Sequence, residues 1–254
     1  MNKTTIKFTA LTFCITFILS GFCIICEQFG ITLENNHLLF IPYILSSFSP
    51  AIASYVVLKK SNEITGFREW IKTVFRFKTS SYFYLLAIMF SAVYFVSRFF
   101  TTGLENMNQF YLIFILLPLM LLGGGMEEAG WRYILQPALD KKYGFILSSI
   151  IVSVIWAVWH LPLFYLVGTS QYQTNFWLFA IDIVGLTFAL GAIRKISNNV
   201  FLCVFFHCLH NAGSVTFNTY DTLFGNLLSM ILLVTLSIIA VYFYEQKRVN
   251  VKAV

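Results

Sequence analysis

The sequence predicts an all-α fold: a multi-pass membrane helix bundle of about eight transmembrane helices plus one amphipathic interfacial helix. Three observations predict it. Hydrophobic residues fill 58% of the 254 positions and charged residues only 11%, against roughly 45–50% and ~25% in soluble domains. The apolar residues gather into runs of bilayer length. Once those runs are numbered, the cations fall almost wholly on one side.

At ~20 apolar residues per crossing, the spans lie near 8–26, 38–58, 81–100, 109–135, 145–167, 176–193, 199–218 and 224–244. The first follows Lys3 and Lys7 but has no small-x-small cleavage site. Phe22 is also misplaced for a lipoprotein signal ahead of Cys23, so the run reads as a retained helix. Between the second and third spans, Phe67, Trp70, Ile71, Val74 and Phe77 recur at helical spacing among basic residues. That pattern suits a short helix lying on the inner membrane surface. The fourth span is long and is interrupted by Gly123, Gly124 and Gly125. No internal repeat, low-complexity tract or soluble unit breaks the pattern, so residues 1–254 read as a single integral membrane domain.

Eight spans put both termini on one side, and sixteen of the 17 Lys and Arg residues share that side with them. Only Arg98 falls on the other, with Glu27, Glu34, Glu105 and Asp221. An odd number of spans would scramble this partition. The positive-inside rule then places both termini in the cytoplasm of a cell-membrane protein. It also explains the net charge of +6 and pI near 9.0 without a nucleic-acid partner. Aromatic content of 18% likewise excludes a disordered chain. The five cysteines (Cys14, Cys23, Cys26, Cys203 and Cys208) all lie inside apolar runs and offer neither a disulfide framework nor a zinc-ribbon spacing.

Ionisable residues inside a membrane are costly, so each one is a functional candidate. They are Glu127, Glu128, Arg132, His160, Asp182, His207 and His210, while His37 sits at the outer mouth of the second span. Glu128 and Arg132 are i, i+4 on one helix and can neutralise each other. Glu127 is rotated by about 100° and has no such partner, which leaves it free for chemistry. His160 follows Trp156 by one turn and precedes Pro162, which weakens the helix beyond it. His207 and Asn211 are i, i+4 and project from one face, with His210 flanking them. The roles of Asp182 and His210 stay open, Asp182 having no partner nearby in sequence.

A carboxylate, two histidines and an amide in one membrane cavity suit water activation and oxyanion stabilisation. Glu127 is then the general base, and His207 and Asn211 can donate to a tetrahedral oxyanion. The same residues could instead hold one divalent ion such as Zn2+ with an open position, since His and Glu are ordinary zinc ligands. Spacing alone does not separate these two readings. No serine elbow, His-Glu-x-x-His helix or phosphate-cradling glycine loop is present.

Glu127-Glu128-x-x-x-Arg132, then Trp156-x-x-x-His160, then His207-x-x-x-Asn211 resembles the CPBP family in motif and order. These are the CAAX-processing and bacteriocin-processing intramembrane proteases, related to the Ras-converting CAAX endopeptidase. The motifs lie on separate spans within roughly 120–215, and the first 110 residues match only as membrane helices. The second motif commonly begins with Phe, where this chain has Trp156. The resemblance implies that Glu127 and His160 activate the water, that His207 and Asn211 stabilise the oxyanion, and that Glu128 and Arg132 support the site.

The expectation is therefore an intramembrane endopeptidase of CAAX type, a metalloprotease if the zinc reading holds. Its catalytic core is near 109–218, its cavity faces the cytoplasm, and its partners are a peptide or protein substrate and the lipid bilayer. The alternatives are a non-enzymatic scaffold or bacteriocin self-immunity protein and, further off, a proton-coupled transporter using Glu127, Asp182 and the histidines.

Overall fold

The computed structural model describes residues 3–252 and, within them, the side chains of all but 105, 106 and 250–252. Helix α1 (Lys3–Glu27) is followed by a 3-10 turn (His37–Leu39) and by α2 (Phe40–Ser47) and α3 (Ser49–Lys60), then α4 (Phe67–Val74) and α5 (Ser81–Thr102). After strand β1 (Leu104–Met107) come α6 (Leu112–Leu119), a 3-10 turn (Gly125–Glu127), the helical turn α7 (Glu128–Gly130), a π-helical stretch (Trp131–Leu135) and α8 (Gln136–His160). A 3-10 turn (Leu161–Tyr165), α9 (Phe176–Ser197), α10 (Val200–Thr216), strand β2 (Phe217–Thr219) and α11 (Leu223–Lys252) complete the order.

Five of these helical stretches are long and apolar enough to cross a membrane, or six if the bent pair α2–α3 counts as one span. The 49° bend in that pair falls where Pro50 opens α3. A proline there is tolerated at a first turn but cannot continue the ladder of a preceding helix.

The 41-residue stretch Gly125–Tyr165 is not straight either. Gly144 has φ 75° and ψ 172° inside α8, a left-handed φ that glycine adopts without steric cost. Across it, Gln136 Nε2 donates to Ser148 Oγ at 3.1 Å. Twelve residues of straight helix would hold those groups ~18 Å apart, so the chain doubles back at Gly144 as a hairpin. Counting its two arms separately, and α10 with its 17 residues, the described residues run from end to end of the bundle eight times.

The fourth expected span is a broken one. α6 stops at Leu119, and the chain turns through Gly123 and Gly124 before helix resumes. It still runs antiparallel to α10 throughout. The Asn108 N–H donates to Thr216 O at 3.0 Å, and Asn211 Nδ2 donates to Gly123 O at 2.7 Å.

Contacts between loops define the two ends of the bundle. At one end Thr4 Oγ1 donates to Glu63 at 2.9 Å, Arg76 donates to Asn198 O at 2.6 Å, and Lys195 pairs with Glu245 at 3.0 Å. Lys195 also lies 6.0 Å from the Phe145 ring, which puts the Gly144 hairpin there too. This is the cationic end. At the other, the Val167 N–H donates to Glu27 at 2.7 Å, Asn226 Nδ2 donates to Leu178 O at 3.1 Å, and β1 pairs antiparallel with β2. Strands were not expected in an all-α chain; this pair only ties two loops together.

The expected surface helix is present as α4, but it is less peripheral than its pattern suggested. Trp70 and Val74 are buried, and the Trp70 indole donates to Ser54 Oγ at 3.0 Å, docking α4 on α3. Glu69 accepts from the Thr65 N–H and hydroxyl at 2.7 Å each. Those bonds hold its carboxyl below the usual carboxylate range.

Small and hydroxylated residues let α1 approach α2 and α3 closely, as in other membrane bundles. Thr16 and Ser49 share a hydrogen bond at 2.5 Å, and Ser20 donates to Ser46 at 3.2 Å. Above this seam the Trp131 ring meets Phe8 and Trp159 edge-on, at 5.5 and 5.8 Å between centroids. This aromatic layer packs behind the candidate site and fixes the helices that carry it. All five cysteines are free, Cys23 and Cys26 included.

Candidate active site

The turn Gly125–Glu127, α7 and the π-helical stretch bring Glu127, Glu128 and Arg132 against α8 and α10. A π-turn widens a helix by one residue and recurs at functional sites. Glu128 and Arg132 are fully buried and form the expected ionic contact, Nε to Oε2 at 3.0 Å. The other oxygen of Glu128 accepts from His207 Nδ1 at 2.8 Å, so one carboxylate serves both Arg132 and His207. Arg132 Nη1 also donates to Gln136 at 3.1 Å, and its guanidinium lies over the Trp156 ring at 5.3 Å.

Glu127 has a different environment. Its Oε2 accepts from the Trp156 indole N–H at 2.7 Å and stands 4.0 Å from His160 Nε2. His160 Nδ1 lies 2.8 Å from the Trp156 carbonyl, which can only accept. The Nδ1 hydrogen is therefore committed there, and neutral His160 presents a bare Nε2 towards Glu127. By the same argument His207 gives its Nδ1 hydrogen to Glu128 and turns Nε2 to the cavity. Trp156 thus touches Glu127 and Arg132 and holds His160 through its backbone.

Gly124 is where these groups converge. It has φ 126°, and a Cβ placed on it would lie 2.9 Å from His207 Nε2, 2.9 Å from Asn211 Nδ2 and 3.2 Å from Glu127 Oε1. The space left by the missing side chain is thus within hydrogen-bond reach of a carboxylate, an imidazole and an amide at once. The glycine run was visible in the sequence, but not which member opens the site.

A cavity of about 680 Å³ lies in front of these residues. Glu127, His160, His207, His210 and Asn211 all line it, with Trp156 and Gly124 beside them.

Residues 108–213 match the family described as Rce1-like, the type II CAAX prenyl endopeptidases. The matched segment holds all three polar motifs. The chain is also similar to CAAX prenyl protease 2 of Methanococcus maripaludis, with 28% identity over 102 residues. That match covers 37% of this chain and 37% of the archaeal protein, so it spans little more than a third of the relative's length. The Rce1-like segment holds every site residue expected from sequence: Glu127, Glu128, Arg132, Trp156, His160, His207 and Asn211.

Not every intramembrane ionisable group joins the Rce1-like site. Asp182 accepts from Tyr94 OH and Asn226 Nδ2 at 3.1 Å each, in a network with Arg98 and Asp221 between α5, α9 and α11. His210 reaches the cavity, but its ring packs on Tyr94 at 4.6 Å and Phe95 at 5.6 Å.

The zinc alternative needs three donors gathered around one point, each ~2.0–2.2 Å from the ion. Among the described residues no three His, Cys, Asp or Glu side chains are so gathered. His207 Nδ1 is taken by Glu128, Glu127 Oε2 is taken by Trp156, and the Glu127–His160 pair stands at 4.0 Å. So arranged, Glu127, His160 and His207 do not form a ready-made zinc site among the described residues.

The cavity occupies the half of the bundle away from the cations. α9 lines it with Phe179, Ile183 and Leu186 from its first half, and α10 with His207 to Val215 from its second. Asn108, Ser170, Gln171 and Asn218 form the rim. Towards the cationic end, Glu128, Arg132 and Gln136, each 0% exposed, close the floor. A cytoplasmic cationic end and a cavity facing the cytoplasm were expected together. The mouth and the cationic loops lie at opposite ends of the bundle.

Proposed function

We propose that this protein is an intramembrane endopeptidase of CAAX type, hydrolysing a peptide bond with a water activated by Glu127 and His160. One observation carries the reading: Glu127, His207 and Asn211 converge on the space beside Gly124. The family match of residues 108–213 and the name of the archaeal relative support it.

In this reading the scissile carbonyl enters beside Gly124, whose lack of a side chain admits a backbone. A water held between Glu127 and His160 loses a proton to Glu127 as its oxygen attacks the carbonyl carbon. The developing oxyanion takes hydrogen bonds from Asn211 Nδ2, which keeps one N–H beyond its bond to Gly123, and from His207. His207 donates from Nε2 in its imidazolium form, whose charge Glu128 faces at 2.8 Å. Donors preplaced in a dry site stabilise such charge far better than water does. Collapse breaks the C–N bond, and the proton held by Glu127 passes to the leaving amine. The products are one carboxylate and one ammonium, which takes up the second proton of the water as well. Glu128 and Arg132 act as positioning residues, and Trp156 orients the base.

The substrate is a polypeptide at the membrane, and the protein sits in the cell membrane with its cationic end and both termini in the cytoplasm. The test compares membrane-peptide termini in cells expressing the wild type and Glu127→Gln. New termini found only with the wild type support the proposal. Identical profiles, with both proteins folded and present, would refute it.

A further inference from the structure

We propose that the site takes its substrate from the extracytoplasmic side, and that its substrates are translocated or membrane-anchored polypeptides whose cleaved segment lies in the outer half of the membrane. The inference rests on the endopeptidase reading for the word substrate, but the direction of access stands on geometry.

Three observations carry it. The first is the mouth. Its rim residues Asn108, Ser170, Gln171 and Asn218 belong to the β1–α6, α8–α9 and β2 segments, all at the end where Val167 meets Glu27. The rim is polar and uncharged.

The second is the floor. A chain entering from the cationic end would have to pass Glu128, Arg132 and Gln136. They are fully buried and bonded to one another and to Ser148 and Ser149 across the Gly144 hairpin. Opening that path would strip partners from a buried guanidinium and carboxylate, which is strongly unfavourable.

The third is the charge at the mouth. Arg98 is the one cation that sequence assigns to this end, and it is buried, with Asp221 at 2.7 Å and Asn226 and the Tyr220 carbonyl also bonded to it. Its charge is met locally, so it does not oppose the orientation set by the sixteen others. A lipidated tail presented from the cytosol would meet the closed floor.

The test uses the full-length protein in the membrane of intact cells or protoplasts. Ser170→Cys is placed at the rim, Thr174→Cys in the same loop as a second probe, and Lys78→Cys between α4 and α5 at the cationic end. A membrane-impermeant maleimide is the probe, and the unsubstituted protein with its five native cysteines sets the baseline. Labelling of Ser170→Cys or Thr174→Cys without permeabilisation, with Lys78→Cys labelled only after it, is the expected result. The reverse pattern would overturn the proposal. Labelling reads no catalysis, so a failure of the endopeptidase reading shows separately, in the Glu127→Gln comparison.

Discussion

His207 Nδ1 lies 2.8 Å from Glu128 Oε1, and this contact joins the first and third polar motifs of the chain into one device. The carboxylate that also meets Arg132 decides how His207 is turned, and so which of its nitrogens reaches the cavity. Two residues 79 positions apart therefore fix one hydrogen-bond donor.

Glu128→Gln tests that link. A glutamine keeps an oxygen for the His207 N–H but loses the charge that the imidazolium faces. We expect turnover to fall by about 10²-fold, in the range seen when one oxyanion donor is lost, with a much smaller change in KM. Steady-state kinetics on a cleaved peptide separates the two. A loss confined to KM would show that Glu128 does not act through His207.

Arg132→Ala removes the other partner and leaves Glu128 poorly compensated in a dry interior. Breaking a buried pair in this way costs about 3–5 kcal/mol. The yield of folded protein and its thermal midpoint should both fall. Arg132→Lys, which keeps the charge but not the contact to Gln136, should recover part of the loss. Normal expression and stability of Arg132→Ala would show that the pair is not structural.

Gly124→Ala places a methyl group in the space where the site converges. Its Cβ would stand 2.9 Å from both His207 Nε2 and Asn211 Nδ2 at a φ of 126°. Strain of this kind costs on the order of 1–3 kcal/mol, so the protein should remain folded. Activity should be lost, because the methyl occupies the place of the carbonyl. A folded and fully active Gly124→Ala would exclude that place as the reaction centre.

These residues also show how far sequence reaches. The pairing of Glu128 with Arg132 was legible because i, i+4 geometry is local. The face shared by His207 and Asn211 was legible for the same reason. The bond from Glu128 to His207, the reach of Trp156 to Glu127 and the role of Gly124 depend on how α7, α8 and α10 pack, which no spacing encodes. The fold reads similarly. Spans follow from composition and the grouping of cations from loop charge. The hairpin at Gly144 was visible only as the gap between two spans, and the break after Leu119 only as a run of glycines. Which end of the bundle the cavity opens towards was not legible, because positions along single helices do not say which side of them is filled. Here Gln136, Ser148 and Ser149 fill the cationic side.

The reaction rests on side chains alone in this account, so purified active protein should contain no stoichiometric zinc and should resist chelators. Elemental analysis of the wild type and His160→Ala, beside activity after dialysis against chelator, checks it. Zinc bound one to one in the wild type and lost in His160→Ala, with activity restored by metal, would contradict the side-chain reading and revive the metalloprotease one.

The most direct measurement is cleavage of an identified substrate by purified wild type and Glu127→Gln, both reconstituted in lipid and shown to be folded to the same thermal midpoint. The glutamine keeps the shape of the side chain and an acceptor for the Trp156 indole, but it cannot take a proton from water. Loss of a general base lowers the rate by ~10²–10⁴-fold. A loss in that range with unchanged stability is the result expected of an endopeptidase whose base is Glu127. Cleavage by Glu127→Gln at the wild-type rate would contradict it.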